Sequence, residues 1–305
     1  MRLQDKLEII LIILIVVGLL IMAVPPVGLS PAARLPVELV EMICNELAVL
    51  DRRVDYAGTQ KWHRGCQRAA LAAAALVSRK WAGPAQTALL RSLYFPSPKQ
   101  CVGFFAAMEH NPRLLGLVSA VVCNVMDYEP DESPDDFPMI PALLEKCHNV
   151  EFVCVYAETD INSPGFEYAI RNMKHLRAFI FESNPGSGDH GNEWFRVSAR
   201  HLPAHLRVLT LQDGTADLDI ALDLPFDLDL LEYHYLGAGT SLVTHALNGL
   251  LGSPRPFRIS KFNVYVQAIQ KPNYSEGDIK RFTAKFAARG VIFKLLQSAW
   301  DPTWR

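Results

Sequence analysis

The sequence predicts a mixed α/β protein, with a small N-terminal helical domain followed by an irregular, repeating α/β domain of solenoid type. Three observations carry this. Two stretches, "LPVELVEMICNEL" (35–47) and "ALVSRKWAGPAQTALLRSLYF" (75–95), place apolar residues at helical spacing. Behind them, one frame of apolar residues recurs between residues 118 and 264. Ahead of them, "IILIILIVVGLLIMAV" (9–24) runs without a charge. The expected division is 1–30 as a hydrophobic segment, 31–96 as a helical domain and 97–305 as the α/β domain.

Composition bounds the function. The chain has 305 residues, of which 50% are hydrophobic, so a sizeable core can form. The formal net charge of −2 gives no electrostatic support to nucleic-acid binding. Cys44, Cys66, Cys101, Cys123, Cys147 and Cys154 contain no CxxC pair. That is neither a zinc-ligand spacing nor a dense disulfide framework, and it suits a reducing compartment. Cys44, Cys123 and Cys154 stand among apolar residues and read as small core hydrophobes. No cofactor is expected.

The N-terminal run leaves three readings open. Spanning a bilayer takes roughly 20 apolar residues. Residues 9–29 come close, so a membrane anchor is one reading. A cleaved signal peptide is the second, since Arg2 and Lys6 precede the apolar stretch. Asp5 and Glu8 dilute that charge, and Pro25-Pro26 is a poor cleavage site. The third is a leader that is not translated.

The helical domain reads as three short helices. Pro36 suits a first turn, where its missing N–H costs nothing. Glu38 favours the positive end of the helix dipole. Val40, Ile43, Leu47 and Leu50 then recur at helical spacing, with Leu39 widening the stripe. In the second helix, Ala70, Ala73, Ala74, Val77 and Trp81 form the expected inward face. Gly83-Pro84 is expected to stop that helix and Pro84 to open a third, with Ala85, Ala88 and Leu89 inward. "SLYF" (92–95) reads as a strand leading out.

These residues resemble the F-box family. Leu35-Pro36, the Glu38-Leu39 pair, the "VSRKW" run from Val77 to Trp81 and the exit through "SLYF" match its motifs in type and order. The resemblance is greatest to fungal F-box-like sequences, and it departs in one place. The basic insert "DRRVDYAGTQKWHRGCQR" (51–68) is longer than the family's usual link. The resemblance implies a surface for a Skp-type adaptor made by Leu35, Pro36, Leu39, Val40, Ile43, Leu47, Val77 and Trp81.

The repeat is read from three lines, "HNVEFVCVYAE" (148–158), "HLRAFIFES" (175–183) and "HLRVLTLQD" (205–213). Their apolar triplets are Val150/Val153/Val155, Leu176/Phe179/Phe181 and Leu206/Leu209/Leu211. Looser copies are expected at Val118/Val121/Cys123, Leu230/Tyr233/Tyr235 and Ile259/Phe262/Val264. The period is close to that of a leucine-rich repeat, roughly 20–29 residues. A short strand with one apolar face gains stability only by stacking on its neighbours. "IPALLEKC" (140–147) and "FEYAIRNM" (166–173) read as intervening helices, and 278–289 as a capping helix before a final strand, 291–296. The expected fold class is thus a small F-box helical domain followed by an irregular leucine-rich-repeat-like solenoid.

Other patterns point to little chemistry. "GSGDHG" (186–191) matches G-x-G-x-x-G, with Asp213 about twenty residues on. The intervening "ESNP" and the acid Asp189 spoil a phosphate site, and a loop is the better account. "DYEPDESPDDF" (127–137) reads as a solvated acidic loop. The spaced aspartates of "DGTADLDIALDLPFDLDLL" lack the order of a calcium loop. His175 and His205 recur at one repeat position, which points to structure rather than catalysis.

The resemblance implies a non-catalytic receptor subunit of an SCF-type (Skp/cullin/F-box) ubiquitin ligase. Its partners would be a Skp-type adaptor, a cullin scaffold and a protein substrate, in the cytoplasm or nucleus. The alternative is a membrane-anchored or luminal repeat-type interaction protein with no role in ubiquitin transfer, tethered through residues 9–29.

Overall fold

The computed structural model describes residues 35–52, 66–95, 98–108, 111–124, 139–157, 164–183, 202–213, 218–224, 226–235, 240–268 and 274–299. The hydrophobic segment 1–30, the acidic stretch 127–137 and "GSGDHG" (186–191) lie outside them. The chain divides into two compact units, Met1–Arg91 and Ser92–Arg305.

In the first unit, α1 is Val37–Arg52, α2 is Cys66–Val77 and α3 is Arg79–Arg91. Val40, Cys44, Leu71, Ala74, Ala85 and Ala88 are buried together with Leu35, and Ile43, Leu47, Ala75, Trp81 and Leu89 pack against them. The inward face of α2 differs from the expected one. Leu71 and Ala74 are buried, whereas Ala70, Ala73 and Val77 are exposed. The cause is size. Burying one leucine contributes about 1.5–3 kcal/mol, far more than an alanine, so Leu71 sets which face turns inward. Pro84 lies inside α3 rather than at its start. The helix opens instead at Ser78, whose carbonyl accepts from the N–H groups of Trp81 and Ala82, each at 3.0 Å. The ring forfeits one backbone bond, and the helix continues so that Ala85 and Ala88 stay buried. The Arg91 guanidinium donates to Asn45 Oδ1, tying the end of α3 to α1.

The second unit is built on one sheet. Its strands are β1 Ser92–Phe95, β2 Ala120–Asn124, β3 Phe152–Ala157, β4 Ala178–Ser183, β5 Val208–Asp213, β6 Leu228–Tyr235, β7 Ile259–Ala268 and β8 Ile292–Ala299. They pair in chain order, each parallel to the next. Parallel neighbours need a crossover, usually a helix. The crossovers hold α4 Pro98–Met108 with the 3-10 turn Pro112–Leu117, then α5 Met139–Lys146, α6 Pro164–Asn172, α7 Ile220–Asp223, α8 Thr240–Gly252 and α9 Glu276–Ala287.

Two ladders of apolar side chains cross the whole sheet on one face. Leu93, Val121, Val153, Phe179, Leu209, Leu231, Phe262 and Phe293 form the first. Phe95, Cys123, Val155, Phe181, Leu211, Tyr233, Val264 and Leu295 form the second, and every one of these side chains is at most 5% exposed. Helices seal this face with aromatic contacts. Phe104 of α4 meets Phe95 at 5.5 Å, Phe166 of α6 meets Phe179 at 6.5 Å, and Phe286 of α9 stacks on Phe293 at 4.3 Å. Gly290, with φ of 78°, makes the left-handed turn that sends the chain from α9 into β8.

The fold class expected from the sequence is therefore corrected. The fold is α/β with an eight-stranded all-parallel sheet, not an F-box helical domain followed by an irregular solenoid. The loosely spaced triplets are strands of a continuous hydrogen-bonded ladder. The "SLYF" strand, read as the exit of the helical domain, is the sheet's first strand. The copy expected at Leu230/Tyr233/Tyr235 also shifts by two residues. Leu231 pairs with Leu209 and Tyr233 with Leu211, so the true triplet is Leu228/Leu231/Tyr233. Alternation alone could not choose between the two frames, because both place apolar residues two apart.

Candidate functional site

Two surfaces stand out, one on each unit. On the helical unit, the eight residues matched to an adaptor-binding motif divide by burial. Leu35 and Val40 belong to the unit's own core. Ile43, Leu47 and Trp81 are half-buried and pack against that core. Pro36, Leu39 and Val77 face solvent, with Leu39 36% and Val77 50% exposed. The first two groups hold the helices together, and only the last is free to meet a partner.

Three exposed apolar residues join that last group without having been expected. They are Val37, Met42 and Leu76, the last at 88% exposure. Of ten large apolar side chains exposed among the described residues, five lie on α1 and α2. Half of the large exposed apolar side chains among the described residues thus lie on these two helices, which makes their outward faces the candidate interaction surface of this unit. The signal was present in the sequence. Leu76 is five residues from Leu71, about 140° round the helix, so it must point outward once Leu71 points inward.

On the α/β unit, the sheet's other face changes character from one edge to the other. One ladder across it runs Tyr94, Val122, Cys154, Ile180, Thr210, Glu232, Asn263 and Lys294. From Val122 to Glu232 these side chains are at most 6% exposed, Asn263 is half-buried and Lys294 is exposed. The ladder is apolar from β2 to β4 and polar from β5 onward.

The polar part is ordered around Glu232. Asn263 Nδ2 donates to Glu232 Oε1 at 3.0 Å, and the Tyr265 hydroxyl donates to the same oxygen at 3.4 Å. Burial, then the neighbouring Glu232 charge, pushes the Tyr265 hydroxyl up to about 12, so it remains a donor at neutral pH. His234 stacks on Tyr265, and its buried Nε2 has no hydrogen-bond partner among the described residues. Burial lowers its pKa to about 4, which keeps the ring neutral. Thr210 Oγ1, opposite Glu232 on β5, is likewise buried without a partner among the described residues. The sequence alone does not reveal this cluster, since residues on three strands meet only through register.

The remaining reactive residue types have structural settings. Burial pushes the thiols of Cys101 and Cys147 up to about 12 and raises that of Cys123 well above its ordinary value, with Cys101 adding to the rise at Cys147 and both adding to it at Cys123. At neutral pH they are protonated core groups rather than nucleophiles. His205 Nε2 donates to the Met173 carbonyl at 3.0 Å, and Asn149 Nδ2 donates to the Gly116 carbonyl at 2.7 Å. Both bonds fasten a turn before one strand to the preceding repeat. His175 is exposed. Asp213 pairs through its backbone with Tyr235, and the glycine motif expected to accompany it lies outside the described residues. Among the described residues, no group of three or more His, Cys, Asp or Glu side chains is arranged to hold a metal ion. No helix among them is long and apolar enough to cross a membrane, and segment 9–29 lies outside them.

No protein-family model matches the chain, and no curated protein matches it, so its functional reading rests on these residues and their geometry.

Proposed function

We propose that this chain is the substrate-recognition subunit of an SCF-type ubiquitin ligase. The helical unit takes a Skp-type adaptor, which joins it to the cullin scaffold, and the α/β unit takes the substrate. The observation that carries the reading is the division of the motif residues. Leu35, Val40, Ile43, Leu47 and Trp81 complete a small core, while Leu39, Met42, Leu76 and Val77 remain exposed on α1 and α2. A unit with so small a core and so much outward apolar surface gains stability by docking. An apolar helix face entering a partner's groove is the recognition mode that fits. The chain's contribution to ubiquitin transfer is proximity, by holding a substrate lysine near the loaded enzyme. The adaptor and cullin place both units in the cytoplasm or nucleus. The uncharged run 9–24 favours a second reading, a membrane-tethered interaction protein without a ubiquitin role.

The test is co-purification of a Skp-type adaptor with the wild-type chain and with Leu76→Ser/Val77→Ser. These side chains are exposed, so the variant keeps its fold, which circular dichroism verifies. A central interface anchor costs about 2 kcal/mol or more on truncation, about 30-fold in affinity. Retention by wild type and loss in the variant support the reading. A wild-type chain that never retains the adaptor excludes it.

A further inference from the structure

We infer that the outer face of β7 and β8 binds an acidic, apolar-flanked segment of a partner protein. The inference rests on the reading of the α/β unit as the recognition half, and it adds the chemistry of what that half recognises.

The register builds a block of six side chains, with Lys261 beside Ile292, Asn263 beside Lys294 and Tyr265 beside Leu296. All six lie on the face opposite the two buried ladders, because side chains alternate along a strand. Ile292 is 59% exposed and Leu296 40%, and both lysines are exposed. Parallel sheets are ordinarily covered on both faces. Here the central row of the outer face is buried from Val122 on β2 to Glu232 on β6, whereas on β7 and β8 Lys261, Ile292, Lys294 and Leu296 are exposed.

Charge decides the class of occupant. Lys261 and Lys294 form no ion pair among the described residues. Among the described residues the acid beside this block is Glu232, which pairs across from Asn263 and whose Oε1 accepts from Asn263 and Tyr265. The block therefore offers two unpaired ammonium groups between two exposed aliphatic side chains. A segment with aspartate or glutamate next to a leucine-like residue complements both. A basic segment would set like charges together, and a wholly apolar one would bury the lysines unpaired.

Glu232 acts here as a positioning residue. Its hydrogen bonds hold Asn263 and Tyr265 in place, and His234 backs the Tyr265 ring with centroids 4.3 Å apart. The centre of the block is thus ordered before any partner arrives, which lowers the entropic cost of binding.

The experiment selects short peptides from an unbiased displayed library on the full chain. The recovered peptides are then titrated against wild type, Lys261→Glu/Lys294→Glu and Lys261→Met/Lys294→Met. The two substituted positions are exposed, and the thermal midpoint of each variant checks folding. Expected peptides carry Asp or Glu beside an aliphatic or aromatic residue and bind more weakly as salt is raised. The charge-reversed variant should lose about tenfold or more in affinity, and the methionine variant should lie between it and wild type. Recovery of no peptide, recovery of peptides without acidic residues, or equal binding to the charge-reversed variant would overturn the inference. Adaptor retention is measured on the same variants and should not change. Loss of the adaptor in wild type would remove the ligase reading while leaving the peptide result to stand or fall alone.

Discussion

His234 and Tyr265 lie face to face on adjacent strands, with ring centroids 4.3 Å apart and planes 16° from parallel. The stack holds a histidine whose Nε2 is buried without a partner among the described residues and whose pKa is lowered by burial to about 4.

Stability should fall with acidification because of that histidine. Between its lowered folded value of about 4 and its ordinary unfolded value near 6.5, the unfolded chain binds the proton and the folded one does not. Stability therefore rises with pH across this window and is lost as pH drops through it. The size is on the order of 3 kcal/mol. Urea titrations at a series of pH values should show the slope in wild type and a flatter profile in His234→Gln. Identical profiles would mean that His234 is not buried neutral.

Leu209 is fully buried in the middle of the sheet, in register with Phe179 and Leu231. Leu209→Ala should cost about 2–5 kcal/mol through lost burial and the cavity left behind. Arg207 is a different case. Its side chain is 57% exposed, and Asp229 lies 4.0 Å away and is also exposed. Arg207→Ala should change stability by less than about 0.5 kcal/mol. Denaturant midpoints of the two variants make the comparison, and similar values for both would contradict the assigned register.

The last crossover helix begins with a reciprocal cap. Ser275 Oγ accepts from the Asp278 N–H at 3.1 Å, and the Asp278 carboxylate accepts from the Ser275 N–H at 3.2 Å. Ser275→Ala should destabilise the unit by about 1 kcal/mol, and Ser275→Asn by much less. Thermal unfolding of the two variants measures the difference, and equal midpoints would show that the cap contributes nothing.

Leu35 and Leu76 should behave oppositely, since Leu35 is 6% exposed and Leu76 is 88% exposed. Leu35→Ala should destabilise the helical unit by about 2 kcal/mol or more. Leu76→Ser should leave its stability within about 0.5 kcal/mol and act only on adaptor retention. The readouts are the unfolding midpoint and the amount of adaptor recovered. A destabilising Leu76→Ser would place that side chain in the core and remove the observation behind the proposed function.

Much of the local structure was legible in the sequence. Strong apolar triplets such as Leu206/Leu209/Leu211 identified strands, and the stripe Val40/Ile43/Leu47 identified a helix. Side-chain periods of two and of 3.6 are local properties, so a single chain records them. The identity of the inward face was legible only where one residue dominated. In the alanine-rich α2 the spacing favoured Ala70, Ala73 and Val77, yet the single large Leu71 decided the matter. The frame around Leu230 failed for a related reason. "LDLLEYHY" offers apolar residues two apart in either frame, Leu231/Tyr233 or Tyr233/Tyr235, and only pairing with Leu209 and Phe262 selects Leu231.

The sequence by itself marked the strands and several of the helices, and it carried the motif residues that suggest an adaptor surface. Tertiary structure alone decided that all eight strands join one parallel sheet. It also decided which motif residues become core and which stay outside, and that Thr210, Glu232, His234, Asn263 and Tyr265 gather on one face. The reason is range. Periodicity acts over a turn or a strand, whereas register and burial join residues tens of positions apart, through contacts that no short window of sequence contains.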